Sequence, residues 1–424
     1  MMFNPEFSLS QSIAFLANLQ STPAYATIGK VYQWNQSDTV AVSGVSEVQR
    51  KADISDAIIA KKILPQHASL VVRRVNWAAG KAFAAWDDKD PDILDKDFYC
   101  VTDDANVYKC VDNANGAQST IKPTGTTPEK FTTADSYVWK YLFSITVDQA
   151  SMFLTPTWMP VKEVNSSIVG FETQYASQVA AVPGTVDRLE IIARGNSYSQ
   201  ATTVEIHGDG TGATATIDVH ALTGAIESVS ITNQGSGYTY AYAVIVDPSP
   251  TPGTDGLIEV VVSPAIGHGK RPAFELGARN VLVSFSMEGN ESGNIKGDTS
   301  FRKIAVFNGL YDNADALLSG PSYNLTTRID VDGQVGSFVV GEQVNFPNGN
   351  ARVTYIESGI IWVSSRQGTI SGTMVGATSE ASANVVGVVS PTPVKFGDVL
   401  FRSYFDGREK AIGENTGFLC NFKF

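Results

Sequence analysis

The sequence contains little charge and little cysteine, and each shortage excludes a class of protein. Only 17% of its 424 residues are charged, and the formal net charge is −12. Such an acidic chain does not suit general nucleic-acid binding, which needs Lys and Arg against the phosphates. Its three cysteines are too few for a disulfide framework and suit a reducing compartment.

Long apolar runs are missing as well. No run approaches the roughly 20 residues that a membrane-spanning helix needs. Residues 1–6 lack the basic start and the apolar run of a signal peptide. We therefore expect no membrane insertion, and we expect the protein to remain in the cytosol in which it is made.

The residues that are abundant indicate a mainly β protein. Glycine occurs 37 times, and Val, Thr, Ile and Tyr, which favour strands, are frequent. A chain of 424 residues is too long for one ordinary hydrophobic core. We therefore expect two to four domains.

The stretch at residues 98–145 is the strongest candidate for a core. Two β-rich runs, 98–102 and 107–111, flank the turn residues 103–106, a pattern that predicts a hairpin. In the strand predicted at 137–145, one face carries Tyr137, Trp139, Tyr141, Phe143 and Ile145. Four aromatic side chains of about 200 Å² each, at about 25 cal/mol per Å², give a gross burial term of roughly 20 kcal/mol before entropy.

Several motifs in and around this stretch resemble one family. They are Val-Tyr-Lys-Cys at 107–110, Lys-Pro-Thr-Gly at 122–125 and Tyr-Val-Trp-Lys-Tyr at 137–141. The motifs resemble those of a baseplate wedge subunit of contractile-tailed bacteriophages, the β-sandwich subunit known as gene product eight in the best-studied member. The residues that carry the resemblance are Trp77, Tyr108, Lys109, Cys110, Pro123, Gly125, Tyr137, Trp139, Lys140, Tyr141 and Trp158.

The resemblance covers residues 20–165 well and returns more weakly at 274–277 and at the C-terminus. One departure is Ser136, where the family pattern has Gly before the Tyr. The difference predicts a slightly different turn at this position.

The resemblance implies a β-sandwich core and a structural role in the virion, at the tail baseplate, after synthesis in the host cytoplasm. It implies other wedge proteins as partners and a homodimer within each wedge. It implies neither catalytic residues nor a cofactor, so we expect a protein that is not an enzyme.

Composition and the resemblance together predict a mainly β fold, with a β-sandwich core, a few short helices and two inserted small β domains. The predicted segments are 1–182 (core, first part), 183–265 (inserted β-repeat module), 266–329 (core, second part), 330–392 (inserted small β-barrel or sandwich) and 393–424 (core, C-terminal strands).

The segment 183–265 contains an internal repeat. Residues 186–191 correspond to 226–231, and Val204 corresponds to Val244, each pair being forty positions apart. The predicted turns carry Gly195 and Tyr198 in the first unit and Gly235 and Tyr238 in the second. Each unit is expected to be a strand, a Gly-Tyr turn and a second strand, with apolar faces buried between units.

Two helices are predicted near the N-terminus. Apolar residues at helical spacing favour a short helix at 10–19 and a second at 53–64, which Pro65 ends. Strands are expected at 25–34 and 69–77, among others.

Candidate reactive groups are few. The aspartates between residues 87 and 97 favour a solvated loop over a calcium site or a glycosidase pair, because Pro91 is present and no Gly is. Cys100 would lie opposite Lys109 and Tyr99 opposite Cys110 in the predicted hairpin, which points the thiols to opposite faces and favours reduced, buried cysteines. The histidines do not form metal-ligand spacing with one another or with Cys, with the partial exception of His207 and His220.

Three functions remain open from the sequence. The first is a structural baseplate wedge subunit. The second is a receptor- or carbohydrate-binding tail protein that uses Tyr238, Tyr240 and Tyr242 of the repeat. The third is a tail glycosidase, suggested only by the aspartates. No metal or cofactor site is predicted for any of them.

Overall fold

The computed structural model describes residues 5–33, 47–288, 300–391, 394–409 and 416–423. Over these residues the fold is mainly β, which confirms the predicted class. The helices are α1 (Pro5–Ser21), α2 (Glu47–Asp56), α3 (Val147–Phe153), α4 (Glu172–Val179) and α5 (Pro272–Glu275). None of the helices in this described part combines the length and the apolarity that crossing a membrane requires.

The chain divides into two compact units. The first unit contains Met1–Ser12 and Ser69–Asn280, and the second contains Ile13–Ala68 and Val281–Lys423. The domain boundaries drawn from the sequence stay predictions.

The strands alternate with loops along the whole described chain. In order they are β1 (Ala24–Gly29), β2 (Ala57–Ile63), β3 (Ala68–Arg73), β4 (Tyr99–Val101), β5 (Asn106–Asp112), β6 (Phe131–Thr132), β7 (Val138–Ser144), β8 (Trp158–Val161), β9 (Val186–Asn196), β10 (Thr203–Gly208), β11 (Thr211–Val219), β12 (Ile226–Ser236), β13 (Ala241–Val246), β14 (Thr254–Val262), β15 (Asn280–Met287), β16 (Ser300–Tyr311), β17 (Ser322–Asn324), β18 (Thr327–Val335), β19 (Gln343–Phe346), β20 (Asn348–Glu357), β21 (Ile360–Thr369), β22 (Thr373–Gly376), β23 (Ser382–Val389), β24 (Lys395–Glu409) and β25 (Thr416–Lys423).

In the first unit, β4, β5, β7 and β6 form a four-stranded sheet in that order. The hairpin β4–β5 forms as predicted, but its register differs by one residue: Tyr99 lies opposite Lys109 and Cys100 opposite Tyr108. Cys100 and Cys110 therefore share a face, contrary to the prediction, since side chains alternate along β5. Both thiols are nevertheless free and buried.

The repeat module of the first unit contains six strands. β9 and β12 have equal lengths and begin forty residues apart, at Val186 and Ile226. Each unit has three strands, one more than predicted, and the units intertwine: β9 pairs with β14, β12 with β11, and β10 with β13. Val204 lies opposite Ile245, so Val204 and Val244 point to opposite faces and the proposed equivalence of these two residues is wrong.

In the second unit, a five-stranded sheet has the order β17-β2-β1-β16-β24. Tyr25, Ala60 and Phe307 are fully buried in its core. Of the helix predicted at 53–64, only residues 53–56 are helical, because α2 ends at Asp56 and Ala57–Ile63 form β2, which pairs with β1. A run of buried apolar residues fits the period of a helix as well as that of a strand. Here the β-branched residues Ile58, Ile59 and Ile63 lie in a sheet, which such residues favour.

The second unit also contains a closed six-stranded barrel, β18-β21-β20-β19-β22-β23. Its interior holds apolar side chains such as Ile329, Val344 and Ile361. Glu342 is buried where the barrel closes and accepts hydrogen bonds from the backbone amides of Thr378 and Ser379 at 3.1 and 3.0 Å.

Candidate functional site

Strand β7 lies between β5 and β6, and both of its faces are buried. Trp139 and Tyr141 are 0% and 1% exposed on the predicted apolar face. Lys140 and Leu142, on the face predicted to be mixed, are buried as well. Tyr137 stacks on Trp139 with ring centroids 5.4 Å apart. The motif at 137–141 therefore lies in the core, and it carries an ammonium group into that core.

Lys109, on the neighbouring strand β5, is a second buried lysine among the residues that carry the resemblance. The Lys109 side chain, on β5, is 0% exposed and forms an ion pair with Glu275 of α5 at 3.0 Å. Its Nζ lies 3.6 Å from the centroid of the Trp86 ring. A carboxylate on one side and an aromatic face on another stabilise a cation that has lost its water.

The third buried group is a histidine next to this ion pair. His268 Nε2 donates to Asp187 Oδ2 at 2.5 Å, and Lys130 Nζ lies 2.7 Å from Asp187 Oδ1. His268 Nδ1 is 4.0 Å from Glu275 Oε2 and has no hydrogen-bond partner among the described residues. Asp187 is the second residue of β9, and His268 follows β14, so this pair connects the two ends of the repeat module.

The charges in this cluster shift one another's pKa values. Burial lowers the pKa of His268, although Asp187 opposes the shift. Burial would raise the pKa of Asp187, but His268 and Lys130 outweigh it and hold that pKa well below its usual range. Burial also lowers the pKa of Lys109, against the effect of Glu275. Neutral His268 therefore donates its Nε2 proton to an ionised Asp187 at neutral pH.

Lys140 lines a cavity of about 220 Å³ beside this cluster. Its Nζ donates to the carbonyl oxygens of Pro128 and Ser177, the latter at 3.4 Å. Burial lowers the pKa of Lys140 to about 8. The cavity wall also includes Lys130 and His268, so the cavity and the ionic cluster form one site.

The other residues of the resemblance occupy packing and turn positions. Trp77 Nε1 donates to Ser119 Oγ at 3.1 Å, and a Cβ at Gly125 would lie 3.2 Å from the Phe131 ring. Pro123 is buried, and Trp158 is half-buried in β8. The structure gathers Tyr108, Lys109, Cys110, Trp139, Lys140 and Tyr141 in one sheet. Tyr137 lies immediately before β7.

At each of the two repeat turns, a buried tyrosine side chain packs into the core of the module, and we call these two side chains, Tyr198 and Tyr238, the plugs. The Tyr238 hydroxyl accepts from the amide of Ala213 at 3.2 Å, and the Tyr198 hydroxyl accepts from the amide of Gly256 at 3.0 Å. Both tyrosines are buried, and Gly195 and Gly235 both have φ = +59°. The glycines are required because a Cβ at Gly195 or Gly235 would lie under 3.0 Å from the facing strand and from the tyrosine ring.

The three tyrosines proposed to bind glycan separate into two groups. Tyr238 is 2% exposed and belongs to the module core. Tyr240 and Tyr242 are 57% and 53% exposed. His207 stacks on Tyr242 with centroids 5.6 Å apart.

The predicted acidic loop is held by basic side chains. Asp97 contacts Arg73 and Lys81 at 2.6 and 2.8 Å, and Asp90 contacts Lys96 at 2.5 Å. Within the described ranges, no group of three or more His, Cys, Asp and Glu side chains could hold a metal ion.

The sequence did not point to several members of the cluster. Trp86 and Lys130 carry no motif. Asp187 lies in the repeat at 186–191 and Glu275 in the weak resemblance at 274–277, but neither pattern marks them as partners of a buried histidine or lysine. The one available signal was a lysine at 109 and another at 140, each within a strongly apolar strand, since a buried lysine needs a partner.

No protein-family model matches this chain, and no curated protein matches it. Its function is therefore inferred from the site geometry and from the motif resemblance.

Proposed function

We propose that this protein is a structural subunit of the baseplate wedge of a contractile phage tail. One observation supports the proposal most: eight of the eleven residues that carry the resemblance are buried, and Trp77, Gly125 and Trp158 are half-buried. Tyr108, Lys109, Cys110, Tyr137 and Trp139 are all 0% exposed. A family pattern that lies largely inside a sheet suits a scaffold, whereas most residues of a pattern for catalysis or ligand binding would face solvent or a cleft. Lys140, which lines the cavity, is the exception.

The attachment of the repeat module to the signature sheet supports the same role. Arg188 at the start of the module donates to the carbonyl of Val111 at 3.1 Å. At the end of the module, Trp86 Nε1 donates to the Val262 carbonyl and Asp88 accepts from the Val262 amide, at 3.1 and 3.0 Å. Both connections of the module are thus fixed by polar contacts, so the first unit is suited to hold neighbours at fixed positions.

The proposed partners are other wedge proteins and a second copy of this chain. A homodimer with two-fold symmetry is what the resemblance implies. The proposed location is the tail baseplate of the virion, after synthesis in the host cytoplasm. No reaction and no cofactor is part of this proposal.

Quantitative mass spectrometry of purified tails tests the proposal. With the amount normalised to the tail-tube subunit, we expect a fixed copy number that is a multiple of six, the symmetry of a baseplate built from wedges. A variable trace amount, or absence from the particle, would contradict the wedge assignment.

A second candidate, carbohydrate binding, is favoured by one observation. Tyr242 and Tyr240 expose aromatic surface on the module, and aromatic rings stack on the apolar faces of sugars. The full chain should then bind a glycan array, and Tyr242→Ala should abolish the signal. A blank array with the unaltered protein removes this candidate. The glycosidase alternative gains no support, because Asp90 and Asp97 are engaged by basic side chains.

A further inference from the structure

Of the three lysines in the ionic cluster of the first unit, one forms no ion pair with a described residue. Asp187 is paired with Lys130, and Glu275 is paired with Lys109. Lys140, 3% exposed, has only carbonyl oxygens as acceptors and forms no ion pair with any described residue. A buried ammonium group without a direct ion-pair partner is costly, and here a space lies beside that group.

That space is the cavity of about 220 Å³. At ~30 Å³ per water molecule it has room for about seven waters, or for an anion of a few carbon atoms. Its wall includes Lys130, Lys140, Gln234 and Thr185. The two lysines and the glutamine carry N–H groups that can donate to an oxygen anion, whereas the Thr185 hydroxyl already donates to Asp187 Oδ1 at 3.2 Å.

One side chain in the wall still lacks a partner. His268 is 5% exposed, and its Nδ1 makes no hydrogen bond within the described chain. In the neutral tautomer that donates from Nε2, Nδ1 accepts a hydrogen bond. A water molecule that donates to Nδ1 would satisfy it.

We propose that this cavity binds a small carboxylate, with Lys140 as the anchoring cation. A monoanion fits better than phosphate, because Glu129 lies in the wall and Asp187 and Glu275 lie behind it. A second negative charge on the ligand would be repelled by these three groups. The carboxylate can come from a free metabolite-sized acid or from an acidic side chain of another protein, and both present the same group.

Thermal unfolding of the full chain in sodium acetate tests this site, with sodium chloride at equal ionic strength as the reference. We expect acetate to raise the melting temperature by a few degrees in a saturable way at pH 7. The effect should weaken at pH 9, because the pKa of Lys140 is about 8 and the free ammonium is lost there. Equal effects of acetate and chloride would overturn the proposal.

Two variants locate the binding. Lys140→Gln removes the cation, and Ala181→Leu narrows the cavity while every charge stays in place. Both should lose the acetate effect. Ala176→Leu, at an exposed position of α4 that does not line the cavity, should keep it. If Lys140→Gln does not fold, Ala181→Leu decides, and an acetate effect that persists in Ala181→Leu contradicts the site.

A blocked tripeptide Gly-Glu-Gly in the same assay separates the two sources of the carboxylate. Stabilisation by acetate but not by the peptide assigns a free acid. Stabilisation by the peptide at lower concentration than acetate assigns an acidic side chain of a partner. The proposal does not depend on the wedge assignment, since it concerns the binding of a carboxylate and not the presence of the chain in a tail.

Discussion

Ser136 adopts φ = +65°, in the left-handed region that residues with a Cβ rarely occupy. This is the position at which the resembled family has Gly. We expect Ser136→Gly to stabilise the protein by about 0.5–1 kcal/mol, because Gly reaches this backbone conformation without strain. Urea unfolding of both proteins measures the difference.

Ser151→Gly is the matched control for this substitution. Ser151 is an exposed residue within helix α3, where Gly costs about 0.5–1 kcal/mol in helix propensity. A stabilisation at 136 together with a loss at 151 assigns the gain to the left-handed backbone. Equal losses at both positions would contradict this reasoning.

His268 makes the stability of the protein depend on pH. Its pKa is lowered by burial, so below about pH 6.5 the unfolded chain binds a proton that the folded chain resists. Stability therefore falls as the pH decreases below about 6.5, by up to ~1.4 kcal/mol per pH unit from this group. The lowered pKa of Asp187 also makes stability fall as the pH decreases, and its stabilising contribution is lost at more acidic pH, below about 4.

His268→Gln should flatten this dependence between pH 7 and pH 5, because the amide can donate to Asp187 but does not titrate. His207→Gln is the matched substitution at a histidine outside the cluster, with a side chain that is 44% exposed. The quantity to compare is the slope of the unfolding free energy against pH, since the variants differ in absolute stability. An unchanged slope in His268→Gln would assign the dependence to other groups.

The burial of Lys140 and Lys109 could not be predicted from the sequence. The alternation of β7 correctly places Trp139 and Tyr141 in the core. It cannot tell whether the opposite face meets solvent or more protein, because that depends on segments distant in sequence. Glu275, the partner of Lys109, is 166 residues away along the chain.

At the scale of elements, the repeat module gives a paired test of its duplicated plugs. A Cβ at Gly210 would lie 2.4 Å from the Tyr238 ring, and a Cβ at Gly253 would lie 2.4 Å from the Tyr198 ring. We expect Gly210→Ala and Gly253→Ala to destabilise the protein to a similar extent, about 1–3 kcal/mol each, because each Cβ overpacks the same kind of site. Chemical denaturation measures both values.

Gly417→Ala is the control, since a Cβ there meets no atom within 4 Å and no left-handed backbone is involved. It should change stability by less than about 0.5 kcal/mol. A large effect at Gly210 with none at Gly253 would show that the two plugs are not energetically equivalent.

Elements differ in how far the sequence determines them. The forty-residue repeat predicted the matching strands β9 and β12, because the repeated residues have the same strand positions. The third strand of each unit was missed, since β11 and β14 align at a different spacing and pair across units. The helix predicted at 53–64 is wrong beyond Asp56 for another reason: a short apolar run fits the period of a helix and that of a strand, and its pairing with β1 decides.

At the scale of the whole molecule, the proposed dimer must overcome like charge. Each copy carries a formal net charge of −12, and two such copies repel one another at long range. Salt screens that repulsion, with a Debye length of about 30 Å at 0.01 M and about 8 Å at 0.15 M. We therefore expect the fraction of dimer, measured by light scattering at constant protein concentration, to increase as salt is raised over this range.

This dependence separates two kinds of interface. A dimer held by apolar burial strengthens with screening, because only the net repulsion is removed. A dimer held by complementary charges weakens instead, since the same salt screens the attraction. Monomer alone at every salt and protein concentration would contradict the homodimer. A dimer that dissociates as salt increases would retain the assembly but place charged pairs, and not apolar surface, at its interface.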